Sequence, residues 1–192
     1  MIGSVALEKI AKIFQCLGMI KLDNLSGSIL EFGVFQGYSL SEIALFCRKN
    51  NMNNPIFGFD SFQGMPHSEH HWIKGGASST FENTISELTQ KLGNIEDITL
   101  VPGFYETSLT SELQSKIPKA VLIHVDCDLY SSTKTALDFC EPLLQEGTFI
   151  IFDEYMEPYE AKGWKEFLEN KSFLAEYLGT GGYDQAVFRI KK

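Results

Sequence analysis

A chain of 192 residues with 44% hydrophobic and 21% charged side chains is long enough to bury a core and has the balance of a soluble globular protein. Its formal net charge of −9 and pI near 4.9 argue against nucleic acid as the main partner, because affinity for that polyanion comes from Lys and Arg. No apolar run approaches the roughly 20 residues that span a bilayer. Cys16, Cys47, Cys127 and Cys140 are scattered, with no C-x-x-C pair. They read as reduced thiols of a cytoplasmic protein, not as a disulfide frame or a zinc site.

Val5, Leu7, Ile10, Ile13, Phe14 and Leu17 recur at helical spacing and predict an amphipathic first helix ended by Gly18, inside an N-terminal helical segment 1–27. Glu8, Lys9 and Lys12 interrupt it, so it is no signal peptide. A strand over 28–32 then turns through Gly33 and Gly37 into a helix from Ser39 to about Asn50. A second strand, 56–59, ends at Asp60 and leads into a long polar, glycine-containing segment, 61–79, expected to be a lid or substrate loop. A helix from about Thr80 to Leu92 and a third strand, 98–101, follow. The fourth strand, 120–125, is too apolar to be exposed on either face. A helix over 131–144, a fifth strand over 148–152 and a helix over 161–170 come next. Two extended segments, 173–178 and 186–190, close the chain around Gly179, Gly181 and Gly182 as an antiparallel hairpin. This alternation predicts one α/β domain over 1–192, with a doubly wound, mostly parallel, seven-stranded sheet.

The turn Glu31-Phe32-Gly33-Val34-Phe35-Gln36-Gly37 stands where a nucleotide-like ligand meets the carboxyl edge of such a sheet. A dinucleotide site wants G-x-G-x-x-G, and bulky Phe35 occupies the position of its second glycine. Glu31 would repel a diphosphate but welcome an ammonium, which favours a cofactor carrying an amino acid. Asp60, at the tip of the second strand, stands where an acid takes ribose hydroxyls; a bare loop cap is the competing role. Tyr130 and Lys134 match the Y-x-x-x-K spacing of short-chain dehydrogenases, but they follow an acidic strand end, so Lys134 is assigned to a solvated helix face.

His124-Val125-Asp126-Cys127-Asp128 ends the fourth strand and Asp153-Glu154 the fifth. If those strands are neighbours, carboxylates crowd one edge of the sheet, a costly arrangement without a cation. Oxygen donors favour Mg2+ or a similar hard ion over zinc. Asp126, Asp153 and Glu154 are the expected ligands, whereas Asp128 is read as a cap of the following helix, with Ser131 and Ser132 as rivals. His67, His70 and His71 lack a further ligand at zinc spacing and read as a His-rich lid.

With these residues in view the chain resembles a class I S-adenosylmethionine-dependent methyltransferase, and more narrowly the macrocin O-methyltransferase family. The resemblance is carried by E-F-G-V-F-Q-G-Y-S at 31–39, G-F-D-S-F-Q-G-M-P at 58–66, H-V-D-C-D-L-Y-S-S-T at 124–133 and F-D-E-Y at 152–155. It implies that Glu31, Gly33, Gly37 and Ser39 hold the methionine end of S-adenosyl-L-methionine, that Asp60 and Ser61 hold the ribose, and that Phe104 lies near the adenine. It further implies Mg2+ on Asp126, Asp153 and Glu154; Asp126, beside the cofactor, is the best-placed candidate for proton acceptor. Glu154 stands where members commonly carry Asp, and less helical sequence precedes the glycine loop than in most members. The implied acceptor is a sugar or another small polyhydroxylated molecule or glycan, and a homo-oligomer is open. The rivals are an N-methyltransferase, a nicotinamide-dependent oxidoreductase and a non-catalytic binding domain.

Overall fold

The computed structural model describes residues 4–69, 71–155, 158–169, 171–182 and 184–191. Strands β1 (Ser28–Phe32), β2 (Ile56–Asp60), β3 (Ile98–Pro102), β4 (Ala120–Val125), β5 (Phe149–Phe152), β6 (Leu174–Gly181) and β7 (Gln185–Lys191) form one sheet in the order β3-β2-β1-β4-β5-β7-β6. The first five run parallel, and β7 is antiparallel to both β5 and β6. This is the predicted mostly parallel sheet with an antiparallel C-terminal hairpin.

Strand alternation sends successive side chains to opposite faces. Leu30, Phe32, Ile123, Val125, Ile150 and Phe152 pack with Ala136, Leu137 and Phe139 of helix α6 (Tyr130–Cys140) and with Trp164 and Phe167 of α7 (Pro158–Leu168). On the other face Ile29, Leu122, Phe149 and Ile151 meet α1 (Ser4–Leu22), α2 (Tyr38–Lys49) and α3 (Phe81–Leu92). Glu31 and His124 lie on this second face as direct register partners in β1 and β4, both buried. Two polar groups are thus set into an otherwise apolar layer.

Several boundaries differ from the sequence reading. Helix α1 does not stop at Gly18 but runs to Leu22, because Ile13, Cys16, Leu17 and Ile20 continue one buried stripe past it. A glycine with open space around it costs a helix only about 1 kcal/mol. The helix expected over 131–144 ends at Cys140 and tightens into a 3-10 turn at Glu141–Leu143, where Pro142 cannot donate. Two short helices, α4 (Tyr105–Ser108) and α5 (Ser111–Gln114), were not expected at all. All four cysteines are free and buried. Among the described residues no helix is long and apolar enough to cross a membrane.

Candidate active site

The sheet order reverses between β1 and β4, so the crevice at their carboxyl ends is where a ligand finds room. A cavity of about 280 Å³ lies there. Gly33 and Phe35 line it from the β1 turn, Asp60 and Ser61 from the end of β2, and Phe104 to Glu106 from the end of β3. Asp126, Cys127 and Asp128 contribute the β4 side and Glu154 the β5 side. Met65, Pro66, Trp72 and Ala77 bring segment 61–79 over it.

The β1 turn is shaped by close approach. Gly33 has φ 94°, and a Cβ there would sit 1.7 Å from the Asp126 carbonyl oxygen, so only glycine lets the β1 and β4 turns touch. Phe35 also adopts a left-handed φ of 48°. Its N–H donates to Asp60 Oδ2 at 2.8 Å, and its carbonyl accepts from the Thr84 hydroxyl of α3 at 2.6 Å. Asp60 accepts from the N–H groups of Val34 and Phe62 as well, both at 2.8 Å. Its carboxylate therefore braces the loop while still facing the cavity.

Not every expected residue reaches that cavity. Gly33, Asp60, Ser61, Phe104, Asp126 and Glu154 line it; Glu31, Gly37, Ser39 and Asp153 do not. Glu31 is buried with both oxygens engaged, Oε1 accepting from Ser39 Oγ at 3.0 Å and Oε2 lying 3.1 Å from His124 Nδ1. Gly37, at φ 82°, forms the entry to α2 against Leu88. Asp128 does not cap α6, whose N-cap is Leu129. It turns back at φ 63° and hydrogen-bonds Glu154. Lys134 is exposed, and Tyr130 donates to Glu166, so the Y-x-x-x-K pair forms no site. His67 and His71 are exposed, and His70 lies outside the described residues.

Because β4 and β5 are neighbours, the expected acids do converge. Burial and the nearby Asp153 hold the Asp126 carboxyl well above its usual range. Burial and Glu154 push Asp128 up to about 9. Burial also raises Glu160, whose Oε2 accepts from the Glu154 N–H at 3.0 Å behind the site. Asp153 goes the other way. Burial opposes its charge, but His124 and Lys9 bring it down to about 2. Lys9 Nζ of α1 lies 2.7 Å from Asp153 Oδ2, and Gln185 Nε2 of β7 donates to Oδ1 at 3.1 Å. Sequence reasoning gave no role in the site to Lys9, Thr84 or Gln185, which come from elements remote in the chain, or to Glu160, six residues after Glu154 in the next helix.

A crowd of buried carboxylates matched by one lysine and one histidine suits a divalent cation chemically. Among the described residues one donor set lies close enough to share an ion: single ligand atoms of His124, Asp126 and Asp153, all within 4.8 Å of one another. Glu154 stands apart from that set, hydrogen-bonded to Asp128. For a nucleoside cofactor the fit is the cavity beside Gly33, walled by Phe104 and Trp72 with Asp60 at its edge.

Comparison with known proteins gives a consistent picture. The family model for macrocin-O-methyltransferase (TylF) matches residues 1–179. The chain is 24% identical over 163 residues to the 8-demethyl-8-(2,3-dimethoxy-alpha-L-rhamnosyl)-tetracenomycin-C 4'-O-methyltransferase of Streptomyces olivaceus, covering 79% of this chain and 61% of that protein. It is 23% identical over 164 residues to the demethyldecarbamoylnovobiocin O-methyltransferase of Streptomyces niveus, covering 79% of this chain and 62% of that one. The chain thus spans about three-fifths of the length of these relatives. Among solved structures, the O-methyltransferase NovP superposes with a TM-score of 0.84 at 20% identity, over 95% of this chain and 79% of its own. The calicheamicin methyltransferase CalS11 gives 0.70 at 22% identity, over 93% and 79%. These last likenesses establish the fold.

Proposed function

The chain belongs to the macrocin-O-methyltransferase (TylF) family, and on that premise we propose that it transfers the methyl group of S-adenosyl-L-methionine to a hydroxyl of a sugar or similar small polyhydroxylated acceptor, assisted by a divalent cation. The observation that carries this reading is the junction at Gly33 and Asp126, where a nucleoside-sized cavity opens directly onto the acid cluster. The cofactor supplies an electrophilic methyl, and a cation such as Mg2+ supplies positive charge that lowers the pKa of an acceptor hydroxyl.

The protein's part is alignment. Gly33 gives the cofactor close access to the loop backbone, Asp60 and Ser61 offer acceptors to the ribose, and Phe104 offers a flat apolar face to the adenine. Glu31 acts on the methionine end from behind, through Ser39 and the loop. Asp126 and Asp153 would hold the cation, and Glu154 would join them by giving up its bond to Asp128. Asp126, which lines the cavity, is placed to receive the proton of the acceptor hydroxyl. Segment 61–79, through Met65 and Trp72, would exclude water during transfer. The rhamnosyl group in one relative's name favours a deoxysugar hydroxyl as acceptor.

The test is a panel of rhamnosides and nucleotide sugars incubated with the protein, cofactor and Mg2+, with S-adenosylhomocysteine release as readout. Transfer that stops with chelator, while S-adenosylhomocysteine still binds, supports the reading. Full transfer in excess chelator removes the cation's role, and transfer to amines alone makes the enzyme an N-methyltransferase.

A further inference from the structure

We propose that the cation at this site takes a nitrogen ligand, Nε2 of His124, so that the site prefers first-row transition ions such as Mn2+, Fe2+ or Co2+ over Mg2+. The inference rests on the cation-assisted reading above and specifies its chemistry.

Three observations on one imidazole carry it. His124 Nδ1 lies 3.1 Å from Oε2 of Glu31, whose other oxygen is fixed by Ser39. Donation of Nδ1–H to a buried carboxylate orients the ring, and histidine ligands of metals are held in this way. Against burial, which opposes its charge, Asp153 and Glu31 favour a proton on the ring in the ion's absence, so a bound ion takes the place of the Nε2 proton. Second, Nε2 is without a hydrogen-bond partner although His124 is only 1% exposed. Its polar neighbour, Asp153 Oδ1, is 3.6 Å away, beyond a hydrogen bond. Third, a carboxylate oxygen of Asp126 completes the set of donors within 4.8 Å of one another. A buried Nε2 without a hydrogen bond, beside two carboxylates, is costly. An ion with ligand bonds of about 2.1 Å fits between Nε2 and the Asp153 oxygen 3.6 Å away and removes that cost.

The surroundings support a ligand role. Lys9 holds Asp153 through Oδ2 and Gln185 donates to Oδ1, the oxygen that faces His124 Nε2, so the carboxylate is fixed in orientation. Glu31 is then an orienting residue for the ligand as well as a neighbour of the cofactor loop. Imidazole nitrogen suits transition ions such as Fe2+ and Co2+, and Mn2+, though oxygen-preferring, accepts it, whereas Mg2+ favours oxygen and water. The competing occupant of Nε2 is a proton shared with Asp153.

Mn2+ and Mg2+ titrated calorimetrically into chelator-treated full chain, with electron spin echo spectroscopy of the Mn2+ form, test this. The expected result is nuclear modulation from a directly bound imidazole nitrogen and at least tenfold tighter binding of Mn2+ than of Mg2+. In His124→Gln the modulation vanishes and the Mn2+ advantage is lost; in Glu31→Gln, Mn2+ affinity falls about 10- to 100-fold while the nitrogen signal survives. The wild-type spectrum needs no variant to fold. Mn2+ binding without nitrogen modulation overturns the inference and leaves the cation reading intact. Failure of both ions to bind, with S-adenosylhomocysteine still bound, overturns the cation reading itself.

Discussion

Asp60 gathers the N–H groups of Val34, Phe35 and Phe62 on one carboxylate. Removing it would leave these donors unmatched at the cavity edge, so Asp60→Ala should cost about 2–4 kcal/mol in a urea denaturation series. It should also abolish S-adenosylhomocysteine binding in calorimetry. Phe35 is the counterpart case. Its left-handed backbone is pinned by Asp60 on one side and by Thr84 on the other. Thr84→Val, nearly isosteric, should weaken S-adenosylhomocysteine about tenfold, the equivalent of one lost hydrogen bond. Adding Phe35→Gly should recover much of that affinity, since glycine reaches positive φ unaided. A double variant no better than the single one would show that Thr84 acts elsewhere. At this scale the sequence was uneven. Asp60 could be read as a ribose acid or a loop cap, and its bonds are those of a cap at the cavity edge. A positive φ at a phenylalanine leaves no trace in composition, and the backbone turn at Asp128 hid its pairing with Glu154.

At the scale of elements, strand positions were legible because continuous apolar runs such as 120–125 have no other reading in an α/β chain. Helix ends were less so: α1 outran Gly18, and α4 and α5, four residues each, are too short to show a period. One inter-element tie was invisible for a different reason. Arg48, in the last turn of α2, donates to Asp97 through Nε at 2.8 Å and to the carbonyls of Leu92 and Asn94 at 3.0 and 2.9 Å. It fastens α2 to the connection between α3 and β3, and nothing local announces such a fork. Arg48→Ala should destabilise the protein by about 1–2 kcal/mol, and Arg48→Lys should recover little, because one ammonium cannot reproduce a planar fork. Chemical denaturation of the three proteins checks this.

For the whole molecule, the adjacency of β4 and β5, on which the sequence reading made the convergence conditional, makes Asp126 and Asp153 neighbours. The partners that tune them were not anticipated, because Lys9 and Gln185 arrive from α1 and β7. The two tryptophans offer a readout of the cavity. Trp164 is buried in the core at 1% exposure, whereas Trp72 lines the cavity from segment 61–79. Binding of S-adenosylhomocysteine should change the intrinsic fluorescence, and the change should disappear in Trp72→Phe. A response retained in that variant would mean that segment 61–79 does not report on the cofactor.

The bonds that build the two halves of the site span very different lengths of chain. Asp60 braces the glycine loop across 25 and 26 residues. Glu31 meets His124 across 93, and Lys9 meets Asp153 across 144. Loop closure over such separations is slow to be rewarded. The nucleoside half should therefore mature early during refolding, and cation affinity should appear only with the last kinetic phase. A ribosome-held chain that has exposed β1 to β3 could shape its cofactor loop while its acids still wait for β5 and β7.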